Sequence, residues 1–206
     1  ADLRPALERF AAQRVAGIAI SGGDGTVRDV LTAGLELFGD DWPPLAVIPA
    51  GKTNALNVDL GAPKDWSVAD VLAALADGRR VRRRPLVVRD LEGGGTLAGF
   101  VFGAGIFTTA IAAGQDAHRL GAFDSLAVAA TAAWGLAQAL LGTDRNRWRR
   151  GAAITIRTGH ERRELPRGRW GDPARRTMVL ASTLERFPFG ARPFGALQGM
   201  KLAAID

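Results

Sequence analysis

Between Val15 and Asp29 the chain reads V-A-G-I-A-I-S-G-G-D-G-T-V-R-D, a short apolar run that breaks into glycines around one carboxylate and re-emerges as a helix start. Val15 to Ile20 has the length and β-branched content of a buried strand. Ser21 to Gly25 is then the turn. Thr26, followed three residues later by Asp29, fits a capping box and predicts a helix through Val30, Leu31, Leu35 and Phe38. A strand, a glycine turn and a helix start in this order aim backbone N–H groups and the positive end of a helix dipole at one point. Two isolated glycines would be explained by a tight turn alone. Three glycines around Asp24 go further, because they let an anion approach the main chain. An aspartate there can order a magnesium-bound nucleotide, hydrogen-bond a ribose or accept a proton from a hydroxyl.

After the first helix, Gly39-Asp40-Asp41-Trp42-Pro43-Pro44 is a turn, and Leu45 to Ile48 is a second apolar strand that runs into Pro49-Ala50-Gly51. Strand, helix and strand imply a right-handed parallel crossover, which puts both glycine turns at the carboxyl ends of parallel strands, where open α/β sheets bind their ligands. Gly51-Lys52-Thr53 is not a P-loop, since Ala46 stands in mid-strand where that motif needs a glycine. Main-chain N–H groups near Gly51 and Thr53, the Asn54 amide and the mobile charge of Lys52 suit phosphate contacts. Thr53 or Asn54 is equally suited to cap a short helix through Leu56 and Val58.

Gly22-Gly23-Asp24-Gly25-Thr26 resembles the nucleotide signature shared by diacylglycerol, sphingosine and NAD kinases, and Ile48 to Leu56 (I-P-A-G-K-T-N-A-L) resembles the second motif of the lipid kinases. The segment departs from the bacterial pattern at Lys52, where threonine is usual, and at Ala55, where aspartate is usual. The Asn-Ala-Leu that results is similar to sphingosine kinases. Leu97 to Ile106 resembles a later strand of the family, with Phe102 in place of asparagine, and Gly121 to Leu141 resembles the helix that follows, with Asp124 as its N-cap. The resemblance implies ATP-dependent phosphorylation of a lipid hydroxyl, with ATP and Mg²⁺ as cofactors. It implies Gly22, Gly23, Asp24, Gly25, Thr26, Gly51, Lys52, Thr53 and Asn54 as nucleotide-binding residues. Asp24 is the visible catalytic candidate, because the family's general base, in an Asp-Gly-Glu motif, would follow Asp206. The family's leading strand, with its Asn-Pro motif, is also not in the sequence, so a piece of a longer protein is expected. An NAD kinase is the sibling alternative, disfavoured because the expected Asn-Glu motif is missing after Asp24. A nucleotide-binding regulatory protein without catalysis is the alternative from another class, prompted by Lys52, Phe102 and Gln198, the last in Leu197-Gln198-Gly199 where the resembling family carries Asp-Asp-Gly.

The 206 residues, 47% of them hydrophobic, suffice for a real core. With no cysteine and only His118 and His160, a disulfide framework and a thiolate zinc site are excluded, and no metal-ligand set is identified. A net charge of +6 favours anionic partners. Nucleic acid is disfavoured, since no aromatic stacking pattern surrounds the arginines. Residues 2 to 13 predict an amphipathic helix packed beside the first strand. Ser67 with Asp70 opens another, with Val68, Val71, Leu72 and Leu75 as its apolar stripe. Five of the six residues from Arg79 to Arg84 are arginine, either a solvated linker or a patch facing phosphate or an anionic membrane. Pro85 to Val88, Leu97 to Ile106, Ala152 to Thr158, Glu161 to Leu165, Met178 to Thr183 and Met200 to Ile205 read as strands. Ser125 to Leu141 is too rich in alanine for a membrane span and reads as a buried helix. The loop with Phe187, Phe189 and Phe194 is suited either to a bilayer interface or to cover over a sandwich core.

The expected architecture is α/β: an incomplete Rossmann-like nucleotide domain over residues 1–80, then an antiparallel β-sandwich domain over 81–206. The expected partners are ATP and a lipid, with peripheral contact to an anionic membrane and a cytoplasmic location. A homodimer is compatible with this reading.

Overall fold

The computed structural model describes residues 3–51, 53–78, 80–108, 151–169 and 172–206. The chain divides into two compact units, Ala1–Val101 with Ser182–Lys201, and Phe102–Ala181 with Leu202–Asp206. In the first, α1 (Arg4–Gln13), β1 (Ile18–Gly22), α2 (Asp24–Phe38), β2 (Leu45–Pro49), α3 (Ala55–Leu60), α4 (Val68–Ala76), β3 (Leu86–Arg89) and β4 (Thr96–Gly99) follow one another. β1 and β2 pair in parallel from Ile18↔Leu45 to Gly22↔Pro49, as the crossover requires. The first strand lies three residues later than the apolar run suggested. Its ladder opens with the Ile18 N–H on the Pro44 carbonyl, and Pro43 and Pro44 have no N–H to extend it backwards.

The core of this unit is one cluster: Leu7 of α1, Ile18 and Ile20 of β1, Val27, Val30 and Leu31 of α2, Val47, Leu56, Ala98 and Leu184. Burying each large aliphatic side chain stabilises the fold by about 2 kcal/mol before entropy is counted. Buried Val27, Val30, Leu31 and Gly34 recur at helical spacing on one face of α2. Gly34 makes room for Trp42, whose ring would lie 2.3 Å from an added Cβ and which also stacks on Phe38 at 4.7 Å. α1 packs chiefly on α2, and its Leu7 shares the core cluster with Ile18 and Ile20 of the first strand.

α4 begins as expected, with a reciprocal capping box between Ser67 and Asp70. Its apolar stripe is only partly used. Val71 is fully buried, whereas Val68 and Leu72 are 59% and 62% exposed. Two arginines of the run are anchored by the fold, and Arg79 lies outside the described residues. Arg80 donates to the Ala74 and Leu75 carbonyls at the end of α4. The Nε of Arg83 donates to Oδ2 of Asp59 at 2.7 Å and its Nη2 to Glu185 at 3.1 Å. Asp59 is 2% exposed, and its Oδ1 accepts the Glu185 and Arg186 N–H groups, both at 2.7 Å. Arg82 and Arg84 remain exposed.

β3 and β4 form an antiparallel hairpin whose β4 side packs on α2. The expected strand from Leu97 to Ile106 is interrupted at Phe100, giving β4 and then β5 (Val101–Gly105), after which Ile106 to Thr108 are helical. Two aromatics of the loop, Phe187 and Phe194, turn inward. Phe194 is buried, Phe187 packs against the core cluster and the two rings lie 5.9 Å apart, so this loop covers the core of the first unit rather than that of a sandwich.

The second unit holds most of β5, β8 (Met178–Ser182) and β9 (Lys201–Ile205), a sheet with β8 in the middle. β6 (Arg157–Thr158) and β7 (Arg163–Glu164) form a small hairpin with His160 exposed at its turn, shorter than the sequence suggested. Arg176, 1% exposed, donates to Asp206 at 2.6 Å and to the Leu165 carbonyl at 2.8 Å, and the other Asp206 oxygen accepts the Gly168 N–H. The expected helix from Gly121 to Leu141, with its cap Asp124, lies outside the described residues. Among the described residues no helix is long and apolar enough to cross a membrane.

Two outcomes follow. Asp59→Ala takes the shared acceptor from Arg83 and from the Glu185 and Arg186 N–H groups, so denaturant unfolding should show a loss of about 2 kcal/mol. The Asp70 carboxyl is held below its ordinary range by the Ser67 hydroxyl and then the Ser67 N–H. A lowered carboxyl pKa gives stability that is complete above the unfolded value and is lost as pH falls through the folded one. The stability difference between wild type and Ser67→Ala should therefore be full at neutral pH and shrink as unfolding is measured at increasingly acid pH.

Candidate functional site

The two glycine turns meet. β1 ends at Gly22, and α2 starts at Asp24 instead of Thr26, with extended Gly23 as its N-cap and no side-chain cap. The expected capping box does not form, because Asp29 is engaged by the Arg28 guanidinium at 2.7 Å. The Thr26 side chain turns back onto Gly22, where an added Cβ would meet its Oγ1 at 2.4 Å. The motif is thus the first turn of the helix, not a loop ahead of it. Helix geometry leaves the Asp24, Gly25 and Thr26 N–H groups without an intrahelical partner, and all three residues are exposed. Nothing lies within 4 Å of a Cβ built on Gly25.

The second turn is held against the first by backbone contact. A Cβ on Gly51 would sit 2.5 Å from the Gly23 Cα, and a Cβ on Gly23 would sit 2.9 Å from the Gly51 Cα. Only glycine at both positions allows this approach. The Ala50 N–H extends the strand ladder to the Gly22 carbonyl at 3.2 Å. Asn54 has left-handed backbone (φ 46°), and its amide closes a ring on Gly51, accepting that residue's N–H at 2.9 Å and donating to its carbonyl at 2.6 Å. Asn54 is the N-cap residue of α3 by position, yet its side chain caps nothing there.

Asp24 does the capping from across the site. Its Oδ2 accepts the Ala55 N–H at 2.9 Å and its Oδ1 the Leu56 N–H at 3.0 Å. Charge-assisted bonds of this kind to helix N–H groups are worth about 1 kcal/mol as a cap. At the far side of α3, the buried Asn57 side chain donates to the Val47 carbonyl at 2.6 Å, and Gly61 closes the helix with left-handed backbone. Of the residues expected to form a site, Gly22, Gly23, Asp24, Gly25 and Thr26 are thus brought together with Gly51 and Asn54. Thr53 is exposed beside them, and Lys52 lies outside the described residues. The bonds that Asp24 sends to α3 join residues more than 30 positions apart, and sequence reasoning had no signal for them. Asp59 was also missed, although a lone acid in a short apolar helix, followed by an arginine run, could have suggested the pair.

Residues 1–85 match the diacylglycerol kinase catalytic domain. The resemblance drawn from the two glycine motifs holds. Lipid kinase YegS of Escherichia coli K12 is 38% identical over 63 residues, which is 31% of this chain and 21% of that protein. A Shigella flexneri protein named as a probable lipid kinase of the same kind is 40% identical over 59 residues, 29% of this chain and 20% of its own length. The match thus spans about a fifth of these curated relatives. A solved structure from Bacillus anthracis strain Sterne, named as a candidate diacylglycerol kinase, aligns over 99% of this chain and 59% of its own, with a TM-score of 0.56 and 17% identity. That likeness establishes a shared mixed α/β fold.

Substituting Gly51 by alanine should force the two turns apart and destabilise the protein by about 2 kcal/mol in thermal or denaturant unfolding, as overpacking does elsewhere. An unchanged midpoint would show that the turns have room to separate.

Proposed function

We propose that this chain is part of an ATP-dependent lipid kinase acting on diacylglycerol or a related lipid alcohol, with its nucleotide domain built around residues 1–80 and a β-sandwich domain formed from the strands of the second unit. The observation that carries the reading is the open first turn of α2. The Asp24, Gly25 and Thr26 N–H groups have no intrahelical partner at the positive end of a 15-residue helix, and Gly25 presents no side chain and meets none. Such a cradle suits the phosphates of a nucleotide. The domain match over residues 1–85 and the lipid-kinase relatives support the same reading.

In this reaction the lipid hydroxyl oxygen forms a bond to the γ-phosphorus, the bond to the β,γ-bridging oxygen breaks, and ADP leaves as the hydroxyl proton passes to a base. The residues of this chain bind and orient. The Asp24, Gly25 and Thr26 N–H groups hold phosphate oxygens. Gly22 and Gly23 keep the turn tight, and Gly51, Thr53 and Asn54 border it from the second motif, to which Lys52 adds a positive charge in sequence. Magnesium arriving with the nucleotide phosphates would neutralise charge on the transferred group. Among the described residues no cluster of three acidic or imidazole side chains could hold a metal ion, and none of these residues is assigned to it. A lipid acceptor brings the protein to a membrane surface, for which the exposed Arg82 and Arg84 have the right charge for anionic headgroups, in a cytoplasmic, peripheral protein.

The test is transfer of labelled phosphate from ATP with magnesium to diacylglycerol, sphingosine, ceramide and NAD, with Gly25→Ala as the control. Because space around Gly25 is open, this variant should unfold at the wild-type temperature or slightly above. It should nevertheless bind ATP at least about tenfold more weakly, since the methyl group occupies the place of a phosphate oxygen. Label in a lipid, lost in Gly25→Ala, is the expected result. Label in NAD would identify the sibling activity, and ATP binding without transfer would identify a regulatory protein.

A further inference from the structure

Asp24 is the one carboxylate in the glycine-rich turn, and so the obvious candidate for proton transfer. Its geometry assigns it elsewhere. Each carboxylate oxygen accepts a backbone N–H of α3, at 2.9 Å from Ala55 and 3.0 Å from Leu56. The bonds cross from the first motif to the second. α3 has six residues and no cap of its own, because the Asn54 side chain is turned back onto both the N–H and the carbonyl of Gly51.

We propose that Asp24 is a positioning residue: it fastens the second glycine turn to the first through the start of α3. This rests on the nucleotide-site reading above and deepens it. Three features converge on the same function. The contact of Gly23 with Gly51 brings the turns within reach, the Asn54 ring sets the shape of the second, and Asp24 ties that shape to the helix start where phosphate is expected. The arrangement also explains how a carboxylate is tolerated beside a triphosphate. Its charge is turned toward two N–H donors at the positive end of α3 rather than toward the cradle.

Asp24→Asn separates the alternatives, because it is nearly isosteric and replaces one acceptor oxygen by an NH₂ that faces a donor. The measurements are amide hydrogen exchange over residues 50–60 without ligand, ATP affinity by calorimetry, and the pH profile of kcat on the lipid acceptor. If Asp24 positions, exchange at Ala55 and Leu56 should speed up by about tenfold, the ATP Kd should rise by a similar factor and the acid limb of the profile should keep its midpoint. Asp24→Glu, which keeps both oxygens on a longer arm, should recover part of the protection. Unchanged exchange and ATP affinity with kcat down a thousandfold and the acid limb lost would make Asp24 the base. Weakened ATP binding with unchanged exchange would mean direct contact with the nucleotide. Either result overturns the proposal. Should wild-type protein bind no ATP, the kinase reading fails, while the exchange arm still decides whether Asp24 fastens the turns.

Discussion

The pair of bonds from the Asp24 carboxylate to the Ala55 and Leu56 N–H groups is the constraint on which the site depends. Parallel strands alone would place the two turns side by side at the end of the sheet without fixing their separation. The carboxylate fixes it, and the distance it enforces is short enough that the backbones of Gly23 and Gly51 touch. Glycine at both positions is then a steric requirement of the clamp, in addition to any role in receiving a ligand. Gly25, by contrast, has open space around it and negative φ, so neither packing nor dihedral need explains its identity.

Behind the clamp, α3 is held at both ends. Asp24 secures its start, while Asp59 near its end binds Arg83 and the N–H groups of Glu185 and Arg186. Six helical residues would not persist alone in water, so these contacts, with Leu56 in the core, supply the stability that length does not. The arginine run owes its composition in part to this need. Arg83 and Arg80 bond to the fold, and Arg82 and Arg84 are left for solvent or for an anionic surface.

Much of the first unit was legible because its elements obey local rules. The apolar spacing of α2, the Ser67–Asp70 box and the glycine stop at Gly61 are all written within a few residues of where they act. The start of α2 was misread for the same reason: Thr26 and Asp29 satisfied a local pattern, but Gly22 offered Thr26 a packing site and Arg28 took Asp29. The exposed flank of α4 and the inward Phe194 depend on neighbours distant in sequence, which no periodicity reports. The bonds of Asp24 belong to the same class. A motif could mark the residue as important, but only the fold shows that its oxygens face a second helix.

The most direct test of the central claim, that the two glycine turns form one nucleotide site, is a map of backbone amide NMR shifts during titration with a non-hydrolysable ATP analogue and magnesium. The account predicts that Asp24, Gly25 and Thr26 shift together with Gly51, Thr53 and Asn54 along a single binding curve. Shifts confined to the arginine run, or an unmoved first turn of α2 at saturating nucleotide, would contradict it.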